Sequence, residues 1–98
     1  MAGAQPTIGV LTLDLHIEHS HSLKHRRQVV RSLKDRLRAK FNVATAEIDH
    51  QDSWQRAVIG VITLSSDRLR VEQVLQSVER EAANLLGGDL VSAEIELL

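Results

Sequence analysis

An α+β sandwich, one four-stranded antiparallel sheet with both helices on one face, is the fold that this chain predicts. Three observations carry the prediction. Four stretches alternate apolar and polar residues with the period of two that marks a β-strand. Two stretches repeat their apolar residues at every third or fourth position, as an amphipathic helix does. The six stretches follow one another as β-α-β-β-α-β. The 98 residues suffice for one modest core, and no linker, repeat or low-complexity tract divides them, so residues 1–98 read as a single domain.

Residues 1–6, small and polar with Pro6, are expected to form a frayed start. Thr7 to Ile17 is the first strand, with Gly9, Leu11, Leu13, Leu15 and Ile17 on one face. Glu18 to His21 is a polar turn, and Ser20 or Ser22 is placed to cap the helix that follows. That helix, Ser22 to Phe41, aligns Leu23, Val30, Leu33, Leu37 and Phe41 on an apolar stripe, with Val29 at its edge. Arg26 and Lys40 lie near the stripe, where their stems can pack while their charges reach solvent. Arg31 and Asp35 are spaced to pair, and Asn42 is expected to end the helix in the left-handed conformation.

Val43 to Asp49 and Trp54 to Leu64 are two strands joined as a hairpin over His50 to Ser53. The second of them is apolar on both sides, which predicts a central strand with both faces covered. Ser65 to Asp67 caps a second helix, with Val71, Val74, Leu75, Val78, Ala82 and Leu85 on its apolar stripe. Gly87-Gly88 is its stop, because glycine takes a positive φ without steric cost. Leu90 to Leu98 is the last strand, Val91, Ala93, Ile95 and Leu97 opposing Ser92, Glu94 and Glu96. Right-handed crossovers, from the first strand to the third and from the second to the fourth, would close a ferredoxin-like plait.

Composition excludes several function classes. The chain has no Cys, so neither disulfides nor zinc–thiolate sites are encoded. One Phe, one Trp and no Tyr argue against a function built on stacking bases or sugars over aromatic platforms, since the first and third strands offer only Trp54, at an edge. No apolar run approaches the roughly 20 residues of a membrane span, and the first residues do not read as a secretory signal, so the cytoplasm is the expected compartment. The net charge of −1 conceals a separation. Residues 20–41 hold eight Lys/Arg and one acid, Asp35, a balance of +7; the remainder holds four Lys/Arg and twelve Asp/Glu, a balance of −8.

Several pieces of the sequence resemble the YlxP-like family of small bacterial proteins, a family of unknown function. They are Leu15-His16, Ser20 to Lys24, Arg26-Arg27, Ser32-Leu33, Phe41 to Val43, Ala46 to Asp52 and Trp54 to Ala57. The resemblance implies a ferredoxin-like fold without an assigned activity. The family's genes tend to lie among those for translation initiation and ribosome maturation, which implies a role near the ribosome or its RNA. Two departures from the family pattern stand out: Glu18-His19 replaces a common Pro-Gly pair, and Ser53 stands where an apolar residue is usual.

Four constellations remain to be weighed. Lys24, Arg27, Arg31, Lys34 and Arg38 form a cationic row beside the apolar stripe of the first helix, spanning about 21 Å at 1.5 Å per residue. A merely solvated helix face interleaves acids with bases, as the second helix does with Arg68, Glu72, Glu79, Arg80 and Glu81. The near absence of acids favours contact with phosphates, to which His21 would add. The expected partner is therefore RNA or a ribonucleoprotein, recognised by shape and phosphate. The hairpin loop, Asp49, His50, Gln51, Asp52, Trp54 and Arg56, reads equally as a docking site for a protein and as a local cover in which Arg56 pairs with Asp49 or Glu47.

The sheet face away from the helices would carry Val10, Thr12, Val58, Ile62 and Leu64 among Asp14, His16, Glu47, Glu94 and Glu96, a surface suited to a second copy of the chain. His16, His19, His21, His25 and His50 match no metal-ligand spacing and read as turn and cap residues. There is no P-loop, no dinucleotide fingerprint and no nucleophile with a base at motif spacing. The expectation is a non-enzymatic, cofactor-free homodimer that contacts RNA in ribosome maturation or translation, with no membrane and no small-molecule substrate. The alternative is a dimeric interaction module that docks a protein through the Trp54 loop.

Overall fold

The computed structural model describes residues 5–98; the frayed start expected over residues 1–6 falls, for residues 1–4, outside them. The chain runs β1 (Thr7–His16), α1 (Leu23–Lys40), β2 (Ala44–Asp49), β3 (Arg56–Ser65), α2 (Arg68–Leu86), a single 3-10 turn (Gly87–Asp89) and β4 (Leu90–Leu97). The strands form one sheet in the order β2-β3-β1-β4, with every neighbouring pair antiparallel. This is the ferredoxin-like plait that the periodicity predicts. The crossovers differ from those expected: α1 connects β1 to β2 and α2 connects β3 to β4, each skipping the strand that lies between.

Local chemistry ends each helix. The Ser22 hydroxyl accepts from the His25 N–H at 3.1 Å and caps α1, while Ser20 is buried beneath the turn and donates to the Ser22 carbonyl. At its other end α1 stops on Phe41 in extended conformation, its N–H reaching the Leu37 carbonyl. The left-handed Asn42 expected there is not formed, since Phe41 has already satisfied that carbonyl. The Asp67 carboxylate caps α2 through the Leu69 N–H, and Gly87 ends it at φ 56°.

The core lies between the sheet and the helices. Leu11, Leu13 and Leu15 of β1 and Ala57, Ile59 and Val61 of β3 meet Val30, Leu33 and Leu37 of α1 and Val71, Leu75, Val78 and Ala82 of α2. Leu85, placed on the apolar stripe by periodicity, is exposed; Leu86 packs against the core instead. At Gly9 α2 approaches β1 so closely that a Cβ would lie 2.5 Å from the Val71 side chain, so only glycine fits.

The outer sheet face is open. Its rows run Ala44–Ile62–Val10–Glu96 and Ala46–Gly60–Thr12–Glu94 across the four strands. β3 is central, as expected, but only one of its faces is covered: Ile62 and Leu64 are 40 % and 60 % exposed. Glu47, expected on this face, lies on the other. It pairs with Ile59 across the hairpin, and the register then shifts between Glu47 and Asp49, with Ile48 as the extra residue.

Candidate functional site

α1 sorts its cations into three groups. Lys24, Arg27, Arg31, Lys34 and Arg38 run along the flank that faces β2, as the spacing predicts, and four of them line an open cleft of about 390 Å³ with Val30, Asp35 and Glu47. Among the described residues no carboxylate comes within 4 Å of Lys24, Arg27, Arg31 or Lys34; Arg38 pairs with Asp35, one turn before it. Asp35 therefore serves Arg38 and not Arg31, the partner expected from an i, i+4 spacing. His21 is exposed, just ahead of the Ser22 cap.

On the flank facing α2, Arg36 and Lys40 both reach Glu81, at 3.1 Å and 2.6 Å. The hydrogen bonds from Lys40 and then Arg36 hold the Glu81 carboxyl below its ordinary value. These two cations are thereby compensated, which leaves the β2 flank as the positive surface.

The third position is Arg26, and here the structure reverses an expectation. Its charge does not reach out: the side chain is wholly buried. Its guanidinium ion-pairs with Glu47, and it donates from Nε to the Arg56 carbonyl at 3.0 Å and from Nη2 to the His50 carbonyl at 2.7 Å. Burial of a guanidinium is tolerated only with such partners. Arg26 thus bolts the first turn of α1 to both ends of the β2–β3 loop. Gln55 reinforces the junction, its side-chain N–H donating to the Glu18 carbonyl at 3.0 Å while its backbone carbonyl accepts from the Ile17 N–H at 2.7 Å. Arg26, Glu47, Ser20 and Gln55 all fall in the sequence pieces that carry the family resemblance. That shared membership was the available signal for a joint role.

The loop itself is folded tightly. His50 sits at φ 64°, the Asp49 carboxylate accepts from the His50 N–H, and the Gln51 side chain donates to the Glu47 carbonyl. The Ser53 hydroxyl accepts from the N–H groups of both Gln55 and Arg56, at 3.2 and 2.9 Å, a role that an apolar side chain could not fill. Trp54 stands out from the loop, 59 % exposed. Arg56 does not pair with Asp49 or Glu47; it reaches Asp14 at 3.1 Å, since His16, its cross-strand neighbour, lies two residues from Asp14 on the same face. So Asp49, His50, Gln51 and Trp54 gather at the loop, while the Arg56 guanidinium is committed elsewhere. The histidines do not converge: His16 bonds Gln55, and no group of three or more metal-binding side chains exists among the described residues. No helix of the described residues is long and apolar enough to cross a membrane.

Fold and site together define a small ferredoxin-like protein with one cationic helix flank and a clamped hairpin loop. The family model "Protein of unknown function (DUF503)" matches residues 8–95, and the chain belongs to that family. It is 39 % identical over 71 residues to the uncharacterized protein YlxP of Bacillus subtilis (strain 168), covering 72 % of this chain and 77 % of that protein. Among solved structures it is similar to the de novo designed protein Foldit4, with a TM-score of 0.59, 13 % identity and coverage of 96 % and 97 % of the two chains. The designed protein Ferredog-Diesel aligns with a TM-score of 0.50 and 13 % identity, over 91 % and 83 %. These designs are alike in fold alone.

Proposed function

We propose that the protein contacts RNA, alone or within the ribosome, through the β2-facing flank of α1, in a non-catalytic maturation or translation role. The observation that carries this reading is the uncompensated row. Four cations without an acid partner line one side of a helix about 27 Å long at 1.5 Å per residue. Keeping like charges so close is unfavourable in the free protein and becomes favourable once phosphates neutralise them. Arg36 and Lys40, by contrast, show how the same helix compensates cations that have a structural task.

The test is co-sedimentation with ribosomal subunits and binding to naked ribosomal RNA across a salt series. Wild type should bind with a steep log–log salt slope, about 0.7–0.9 per phosphate contacted. The triple variant Arg27→Glu/Arg31→Glu/Arg38→Glu should lose that binding. No binding to either target at low salt would refute the reading.

The open sheet face supports a second assignment, homodimerisation. Ile62 and Leu64 are exposed and their cross-strand neighbours Val10 and Ile8 half-buried, a contiguous aliphatic block that a two-fold pairing would bury against its own copy.

A further inference from the structure

We propose that Trp54 stacks on an unpaired base of the RNA whose phosphates lie along α1, so that the preferred target is single-stranded or bulged RNA. The inference rests on the RNA reading above and adds to it the kind of RNA. It begins from an apparent waste. Trp54 is the only tryptophan of the chain, it stands outside the core cluster, and more than half of its surface meets water. An indole usually contributes by burying its rings; here the ring contributes nothing to the core.

The loop that carries the ring is hydrogen-bonded on both sides of it. Ser53 closes the turn by donating its N–H to the His50 carbonyl, and its hydroxyl holds the two N–H groups that follow Trp54. The buried Arg26 holds the carbonyls of His50 and Arg56, which bracket the ring in sequence. A ring presented on an already ordered loop loses little conformational freedom on binding. The anchor also sets its position: Arg26 lies on the first turn of α1 between Lys24 and Arg27, the first two cations of the row. The ring and the phosphate-binding flank therefore share one end of the molecule.

The uncompensated cations at the same end favour a base over a protein side chain, since they would hold the phosphates beside it. The loop around Trp54 is Asp49, His50, Gln51, Asp52 and Ser53. The two acids repel phosphate from the loop itself. The arrangement thus divides the nucleotide: backbone to the helix, base to the ring, as sequence-tolerant single-strand binding requires. Asp and Gln are also suited to the polar edge of a base.

The single tryptophan makes the test direct. Indole emission of wild type and of the triple charge reversal is followed while a short oligo(A) and a blunt RNA duplex of equal length are titrated in, and the affinities of these two proteins, Trp54→Phe and Trp54→Ala are read from the fluorescence anisotropy of the same RNAs carrying an end label. Oligo(A) should quench the wild-type emission. Trp54→Ala should weaken oligo(A) binding by about five- to 150-fold, the range for loss of one stacked base, and leave duplex binding unchanged; Trp54→Phe should keep most of the affinity. Suppose emission is unmoved and Trp54→Ala binds both RNAs as wild type does, while charge reversal still abolishes binding. The stacking inference then fails, the RNA reading survives, and the exposed ring is left to a protein partner. If wild type binds neither RNA at low salt, both fail.

Discussion

Arg26 shows how far one residue can depart from its pattern. On a helical wheel it borders the apolar stripe, and the ordinary outcome for such a residue is a packed stem with its charge in water. Instead the guanidinium is sealed between α1 and the hairpin, because Glu47 and two carbonyls converge on it. Removing one partner of a buried pair strands the other. Arg26→Ala should therefore lower the unfolding free energy by about 3–5 kcal/mol, read from the urea midpoint. Arg26→Lys should rescue little, since an ammonium lacks the fork that spans two carbonyls. A cost within the roughly 0.5 kcal/mol of an ordinary surface substitution would remove the clamp from the account. The residue was hidden from the sequence because two of its three partners are backbone oxygens, which carry no residue signature, and the third, Glu47, depends on the β2–β3 register. The same holds for Arg56, whose choice of Asp14 depends on a β1–β3 register that composition does not specify.

At the scale of the element, α1 was largely legible. Its apolar stripe and its cationic row both follow from the 3.6-residue period, and Val30, Leu33 and Leu37 are buried as that period requires. What periodicity could not supply is how the remaining cations divide between partners, because that depends on α2 lying alongside. Glu81 gives this division a pH signature. Its carboxyl is held below its ordinary value, chiefly by the bond from Lys40. In the acidic window between the two values the unfolded chain binds more protons than the folded one, so stability falls as the pH falls. Glu81→Gln should be less stable than wild type at about pH 7, and the gap in melting temperature should close as the pH drops through the folded value. A gap that stays constant from neutral pH down through the acidic titration of carboxylates would show that Glu81 stabilises by something other than its charge. The β2–β3 hairpin was legible as a hairpin, yet which face Glu47 takes depends on a register that puts Ala44 and Ala46 on the open face and Glu47 inward beside Ile59, and no turn signal marks the bulge at Ile48 that follows.

The whole molecule carries its charge in two places. The cations lie over the β2 side of the sheet, while Glu94 and Glu96 line the open face beside β4, the opposite edge. Between them lies the aliphatic block around Ile62 and Leu64. Light scattering at micromolar concentration should give twice the chain mass for wild type and the chain mass for Ile62→Lys/Leu64→Glu. A wild-type monomer would count against the dimer and leave the RNA surface on α1 as it is. The pairing of β1 with β4 has a practical consequence. The Leu98 N–H donates to the Ile8 carbonyl at 2.8 Å, so the chain enters and leaves the sheet side by side. From there β1 runs its length, about 30 Å for ten residues, before it reaches the hairpin junction. A fusion partner or surface tether attached after Leu98 would thus sit at the far end of the sheet from Trp54 and the first turn of α1. A short linker joining the two ends would likewise allow a circular permutant opened elsewhere, with the clamped loop intact.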